Sequence, residues 1–187
     1  ACGGRAGLAF GRVLFRSDLD AGGLAGLGRH DGYVVRQLKR WRTQFVNSTT
    51  RDSPRVLEVH ELLEQRVPAQ QGVGIVHGDY RLDNCMMSPD GEVAAVLDWE
   101  LCTLGDVLAD VAGMVVYSDS RTTGGILPPT SVEGFPTSDE VREMYARHGT
   151  RDLDNLDFYV AFAYWRLACI VEGVYSRYAA GVMGDQD

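Results

Sequence analysis

The segment from residue 72 to residue 99 places the strongest limit on how this chain can fold. "GVGIVHGD" (72–79) is typical of a short buried strand that enters a turn. "CMMSPDGEVAAVLDW" (85–99) predicts a β-hairpin, in which "SPDG" is the turn and "VAAVLDW" is an apolar second strand. Three polar residues lie next to the predicted hairpin: Asp79 and Asn84 precede it, and Asp98 lies at the end of its second strand.

Most of the remaining chain carries helical patterns. In the first predicted helix, at about 32–46, apolar residues recur at helical spacing, namely Val34, Leu38, Trp41 and Phe45. Further helices are predicted at about 54–66, 107–117, 138–148 and 155–180. The predicted fold class is therefore α+β, mostly helical with one small β-hairpin.

Local signals support some of these helix positions. Ser53 before Pro54 is typical of an N-cap followed by proline at the first helical position. Asp106 is interpreted as a cap of the helix at 107–117. The last helix carries a row of apolar and aromatic residues, which we interpret as core packing rather than a cofactor site: Phe158, Phe162, Trp165, Cys169 and Tyr175.

Charge and cysteine content exclude several classes of protein. A formal net charge of -8 over 187 residues argues against a nucleic-acid partner. The basic segment "RQLKRWR" (36–42) is interpreted first as a solvated helix face, and second as a contact for an anionic ligand. The four cysteines are scattered, which indicates neither a zinc site nor a disulfide framework and fits a reducing cytoplasm. No apolar run reaches the roughly 18–20 residues that span a bilayer.

The spacing of three polar residues favours phosphoryl transfer. This chemistry needs a group that orients the attacking hydroxyl and Mg²⁺ that bridges the nucleotide phosphates. Mg²⁺ binds carboxylate and amide oxygens together with water and phosphate oxygens. Asp79 and Asn84 can present a base and a metal ligand from one loop, and Asp98 can present a second ligand from the hairpin.

The same motifs resemble those of a known family. "HGDYRLDN" (77–84) and "VLDWE" (96–100) are similar to the catalytic and metal-binding motifs of the aminoglycoside phosphotransferase-like kinases. "GYVVRQLKRW" (32–41) and "FYVAFAYWRLACIVEGVYSRY" (158–178) resemble one branch, the phosphotransferase domains fused to certain acyl-CoA dehydrogenases. The resemblance covers about residues 18–187 and implies a protein-kinase-like C-terminal lobe.

The resemblance also implies roles for particular residues. Asp79 would be the catalytic base, and Asn84 and Asp98 would be ligands of Mg²⁺ in a complex with ATP. Arg81 would neutralise charge on the transferring phosphate, although a structural salt bridge explains it equally well. The acceptor would be a hydroxyl group of a small-molecule metabolite, for which the branch suggests a hydroxyacyl-CoA.

Two further residues are expected to support the site without touching the reactants. Asp110, in "GDVLAD", would accept hydrogen bonds from the backbone of the catalytic loop. His77 is interpreted as a packed, hydrogen-bonded core residue rather than an acid or a base.

A kinase of this kind also needs an N-terminal lobe with a lysine-bearing strand. Lys39 is the only lysine of the chain and lies on a predicted helix, so we expect this lobe to be missing from the sequence. "RVLFRS" (12–17) matches the translation of a sequencing-adapter end, and residues 1–17 are interpreted as a foreign or disordered segment. Residues 18–187 would then be the C-terminal lobe.

Two other functions remain open from the sequence. A truncated or degenerate kinase lobe with a binding role would explain the absent lysine strand, but it would not need all three polar residues. A hydrolase with paired carboxylates, such as a glycosidase, fits poorly because Asn84 contributes an amide.

Overall fold

The structure is a computed structural model that describes residues 23–24, 26–119 and 133–182. Within these ranges the helices are α1 (Tyr33–Ser48), α2 (Pro54–Glu64), α3 (Leu108–Tyr117), α4 (Ser138–His148) and α5 (Leu156–Ala179). The strands are β1 (Gly74–Val76), β2 (Cys85–Met87), β3 (Val93–Val96) and β4 (Thr103–Gly105). The predicted α+β class is confirmed, whereas residues 1–17 lie outside the described ranges and their interpretation stays a prediction.

The strands form two small antiparallel sheets rather than one. β2 pairs with β3, as predicted, with Cys85 opposite Val96. β1 pairs with β4, with Gly74 opposite Gly105, and this second pair was missed. The predicted hairpin is therefore confirmed, whereas β4 was not predicted, because it has three residues and is too short to show an alternating pattern. The β1–β4 pair closes the base of one excursion of the chain, residues 77–102, which contains the hairpin.

The core lies between the long last helix and the helices that surround it. α5 packs against α1, α2 and α3, and α4 packs against α3. The predicted apolar row of α5 is buried at three positions: Phe162, Trp165 and Cys169. The prediction that Tyr175 packs in the core is wrong, because 46% of this residue is exposed and the Arg51 guanidinium lies over its ring. Among the described residues, no helix is long and apolar enough to cross a membrane.

The helices begin close to the predicted positions, but the predicted capping hydrogen bonds are only partly present. Ser53 stands at the N-cap of α2 with Pro54 after it, but its hydroxyl makes no capping hydrogen bond. Asp106 does accept from the backbone N–H of Leu108, at 3.1 Å. It also accepts from Gln71 N (3.2 Å) and Tyr159 Oη (2.9 Å), so it joins three parts of the chain.

Replacing Gly105 by Ala is expected to destabilise the fold by about 1–3 kcal/mol, because a methyl group there overpacks the core. A Cβ at Gly105 would overlap the ring of Tyr33, which is fully buried under β4. Urea unfolding of the wild type and the variant measures the change. Gly113→Ala is the matched control, since nothing lies within 4 Å of the added atom. In the helix α3, alanine should be neutral or stabilising by roughly 0.5–1 kcal/mol. Equal losses in both variants would contradict the packing argument.

An ion pair ties the α1–α2 loop to α5. Arg51 Nη2 lies 2.6 Å from Glu172 Oε2, and the Glu172 side chain is only 5% exposed. Thr49 Oγ1 also donates to this carboxylate, at 3.2 Å. The hydrogen bond from Arg51 lowers the pKa of Glu172 despite its burial.

Replacing Arg51 by Met is therefore expected to lower stability in a pH-dependent way. A lowered carboxyl pKa contributes stability that is complete above the ordinary value of 4.5 and is lost as the pH falls through the folded-state pKa. The difference in urea midpoint between wild type and variant should thus be constant near neutral pH and shrink in acid. Arg55→Met is the control, because the Arg55–Glu58 pair is exposed and should contribute little at any pH. A difference that persists unchanged in acid would contradict the assignment.

Candidate active site

The loop after β1 is held in place through its backbone. Gly78 adopts a φ of +87°, a conformation that favours glycine, and turns the chain directly before Asp79. The N–H groups of His77 and Gly78 donate to the two carboxylate oxygens of Asp110, at 2.7 and 3.0 Å. This is the contact expected for Asp110 from the sequence. These two hydrogen bonds fix the backbone from which the Asp79 side chain projects.

Asp79 is brought together with Asn84 and Arg81. Asn84 Nδ2 donates to the Asp79 backbone oxygen (2.8 Å) and to Asp79 Oδ2 (3.1 Å). Arg81 Nε lies 3.4 Å from the same carboxylate oxygen, and the Asp79 side chain remains 28% exposed. Arg81 also pairs with Asp83 at 3.4 Å, so its position is compatible with both of the predicted roles. A carboxylate that is anchored and still accessible can accept a proton from an incoming hydroxyl.

The contacts of Asn84 also fix the orientation of its amide. Because Nδ2 donates twice to Asp79, the carbonyl Oδ1 is the end of the amide that stays available as a ligand. Asn84 is nearly buried, in a short 3₁₀ turn (Leu82–Asn84) that leads directly into β2.

Asp98 lies on the other arm of the hairpin and is tied to the loop indirectly. It lies two residues after β3 ends, its backbone adopts a φ of +60°, and the residue is exposed. The preceding residue, Leu97, donates its N–H to the Asn84 backbone oxygen at 2.8 Å. His77 completes the link, because its Nε2 lies 2.7 Å from the Leu97 oxygen while its Nδ1 accepts from Asp79 N at 3.2 Å. This pair of contacts assigns the proton to Nε2.

His77 is fully buried, as the sequence predicted, and the ring of Trp99 packs 4.9 Å from it. The Trp99 Nε1 donates to the backbone oxygen of Val96 at 2.8 Å, which folds the residues after Asp98 back onto the hairpin. The imidazole therefore joins the loop that carries Asp79 to the turn that carries Asp98.

Tyr117 is a residue at this site that the sequence analysis missed. Its Oη donates to Asp79 Oδ1 at 3.1 Å, and the Arg81 guanidinium carbon lies 5.6 Å from the centre of its ring. Tyr117 follows Asp110 by seven residues on α3, so both lie on one face of the helix. That spacing is the signal that could have identified it.

Burial decides the ionisation of several groups around the loop. It raises the pKa of Asp110, while the bonds from the N–H groups of Gly78 and His77 act in the opposite direction. Burial also raises the pKa of Tyr117, and the negative charge of Asp79 adds to that effect, so the phenol stays a donor. The pKa of the half-buried Cys85 thiol rises to about 11 for the same reason, which makes it a poor nucleophile.

The side chains present fit a magnesium ion that is bound partly by other molecules. Across the described ranges, no group of three or more His, Cys, Asp or Glu side chains could hold a metal by itself. The oriented carbonyl of Asn84 and the exposed carboxylate of Asp98 are hard oxygen donors of the kind that Mg²⁺ selects. Such a pair is sufficient where phosphate and water oxygens complete the coordination.

Comparison with known proteins places this site in a family. The family described as "Phosphotransferase enzyme family" matches residues 4–159. The chain belongs to the phosphotransferase enzyme family. A chain called a putative aminoglycoside phosphotransferase, from Ralstonia eutropha, superposes with a TM-score of 0.82 at 30% identity over 99% of this chain and 58% of its own. The macrolide 2′-phosphotransferase MphH of Brachybacterium faecium, at 18% identity and a TM-score of 0.56, shares the fold. The predicted kinase-like fold class, mostly helical with few strands, is thereby confirmed.

The curated relatives are much longer proteins. Acyl-CoA dehydrogenase family member 10 of Mus musculus is 38% identical over 88% of this chain, which spans 16% of that protein. Acyl-CoA dehydrogenase family member 11 of Gallus gallus is 36% identical over 90% of this chain, which spans 23% of it. The predicted resemblance to phosphotransferase domains of this branch is therefore confirmed. This chain corresponds to one part of each relative.

Proposed function

We propose that this chain is the C-terminal lobe of a kinase that transfers the γ-phosphate of ATP, with Mg²⁺, to a hydroxyl group of a small-molecule metabolite. One observation carries the proposal. The Asp79 carboxylate is anchored by Asn84 and remains accessible, while the same contacts occupy Nδ2 of Asn84 and leave its amide oxygen as the end that can serve as a ligand. Phosphoryl transfer needs this combination of a positioned proton acceptor and hard metal ligands.

Each residue has a defined task in the proposed reaction. Asp79 orients the acceptor hydroxyl and takes up its proton, and Arg81 offsets charge on the transferring phosphate. Asn84 and Asp98 would hold Mg²⁺, which when bound neutralises charge on the nucleotide phosphates. His77 holds the loop that carries Asp79 against the turn that carries Asp98, through its contacts with Asp79 N and the Leu97 oxygen.

The related proteins support proposals for the identity of the acceptor and for the remaining part of the protein. Their names contain acyl-CoA dehydrogenase, which supports a hydroxyacyl-CoA as the acceptor because such a fused enzyme would handle the same thioester. The Ralstonia chain extends well beyond the part that matches here, so we propose that a further lobe supplies the phosphate-covering loop and its lysine. We place the reaction in the cytoplasm, where ATP is available and thiols such as Cys85 stay reduced.

The proposal is tested on the protein expressed from the complete reading frame that encodes this sequence. The protein is incubated with γ-labelled ATP, Mg²⁺ and a panel of hydroxyacyl-CoA esters, free hydroxy acids and an aminoglycoside. Mass spectrometry then distinguishes a phosphorylated acceptor from inorganic phosphate. We expect phosphorylation of a hydroxyacyl-CoA that stops when EDTA removes Mg²⁺ and resumes when Mg²⁺ is restored. Nucleotide binding without transfer to any hydroxyl would instead favour the binding role, and release of labelled inorganic phosphate with no phosphorylated acceptor would contradict transfer to these hydroxyl groups.

A further inference from the structure

We propose that Tyr117 is a positioning residue that fixes the Asp79 carboxylate for phosphoryl transfer. The inference rests on the proposed function, because it assigns Tyr117 a task in that reaction. Its basis is one cluster, in which Tyr117 Oη donates to Asp79 Oδ1 at 3.1 Å and the Tyr117 ring lies 5.6 Å from the Arg81 guanidinium carbon. One side chain thus contacts both the proposed base, Asp79, and Arg81, which is proposed to offset charge on the transferring phosphate.

The position of Tyr117 is set by the core rather than by the loop it contacts. α3 packs against both α4 and α5, and Leu108, Val111 and Val115 of this helix are buried. Asp110 and Tyr117 share a face of α3, where Asp110 holds the loop backbone at His77 and Gly78. A single rigid helix therefore fixes both the backbone of the catalytic loop and the side chain that projects from it.

The two oxygens of the Asp79 carboxylate are held from different sides. Tyr117 donates to Oδ1, whereas Asn84 donates to Oδ2 and Arg81 Nε lies 3.4 Å from Oδ2. Rotation of the carboxylate about its Cβ–Cγ bond would break both hydrogen bonds. Each carboxylate oxygen can accept about two hydrogen bonds, so acceptor capacity remains for the substrate hydroxyl. Without the phenol, the carboxylate would be anchored only through Oδ2 and would turn toward the Arg81 guanidinium.

Tyr117→Phe in the protein from the complete reading frame tests this role, because phenylalanine keeps the ring beneath Arg81 and removes only the donor. Loss of a hydrogen bond to a charged group that matters in the transition state should lower kcat by roughly 10-fold to 100-fold. The KM for ATP should stay within about twofold, since the phenol does not contact the nucleotide in the proposed arrangement.

Tyr164→Phe is the matched control. Tyr164 Oη donates to Asp119 Oδ2 at 2.5 Å, so this variant also removes a bond between a phenol and a carboxylate near the end of α3. It should leave kcat unchanged. A similar fall in both variants would show that loss of packing or stability explains the effect, and it would overturn the positioning role.

A double-mutant cycle separates this inference from the proposed function. In an Asp79→Asn background, Tyr117→Phe should cause no further fall in rate, because the group it positions is already gone. If Asp79→Asn abolishes transfer while Tyr117→Phe alone leaves kcat unchanged, the positioning role is wrong and the proposed function stands.

A spectroscopic measurement tests the contact even if no transfer is found. With tyrosines labelled by ¹³C at Cζ, the resonance that is missing in Tyr117→Phe belongs to Tyr117. Because the Asp79 charge contributes to the raised pKa of this phenol, Asp79→Asn should move its ionisation to lower pH. An unchanged titration would overturn the inference, since Tyr117 would then not interact with Asp79.

Discussion

Replacing Asp79 by Asn is expected to lower kcat for phosphoryl transfer by about 10²–10⁴-fold, the usual contribution of a positioned general base. Asparagine preserves the size of the side chain but cannot take up the proton of the acceptor hydroxyl. The amide can still accept from Asn84 Nδ2 through its oxygen, so the loop should keep its shape. Initial rates with ATP and the acceptor identified in the panel measure the effect, and calorimetry with Mg²⁺-ATP should give an unchanged affinity.

Asp83→Asn is the matched control for that substitution. Asp83 lies in the same loop and pairs with the same arginine, with 3.4 Å between its Oδ2 and Arg81 Nη1, but its side chain is 56% exposed. Within the described residues, its side chain makes no hydrogen bond or ion pair with Asn84 or Tyr117. Its replacement should leave kcat close to that of the wild type. Retained turnover in Asp79→Asn, or an equal loss in Asp83→Asn, would contradict the assignment of the base.

Replacing Asp110 by Ala is expected to lower the free energy of unfolding by about 2–5 kcal/mol. The substitution leaves the N–H groups of His77 and Gly78 without their acceptor in a buried environment, at a cost of about 1–3 kcal/mol for each. Removing a buried charge offsets part of that loss, because burial already raises the pKa of Asp110. Urea unfolding gives the net change.

Asp110→Asn separates the hydrogen bonds from the charge. An amide has one acceptor oxygen, so it can serve only one of the two N–H groups, and its own NH₂ would face the other. We therefore expect a loss of stability in this variant as well, although the charge is gone. Asp139→Ala, at an exposed position in the first turn of α4, should show no comparable loss. A stabilised Asp110→Asn would mean that the cost of burying the charge outweighs the two bonds.

The sequence was most informative where local patterns and chemistry coincide. The β2–β3 hairpin was predicted because its apolar strands flank a turn with favourable residues at 88–91. The grouping of Asp79 with Asn84 followed from a five-residue separation that no distant part of the chain can alter. α4 was predicted at its observed bounds, where Thr137 and Glu140 form a reciprocal capping box.

What was missed depends on contacts between distant segments. β4 forms because Thr103–Gly105 meets β1 about thirty residues earlier, and three residues carry no pattern of their own. Tyr117 lies 38 residues from Asp79, and only the packing of α3 brings them together. Asp106 was interpreted as a local cap, whereas its bonds to Gln71 and Tyr159 arise from the tertiary fold.

The closure of residues 77–102 by the β1–β4 pair has a consequence for how such sites can diversify. The four side chains proposed to act on nucleotide and acceptor, Asp79, Arg81, Asn84 and Asp98, all lie within this stretch. Its two ends are adjacent in space, as those of an inserted cassette would be. We therefore expect that the stretch can be exchanged between homologues as a unit, provided that the chimera keeps the core contacts of Tyr80 and the partners Asp110 and Tyr117 on α3.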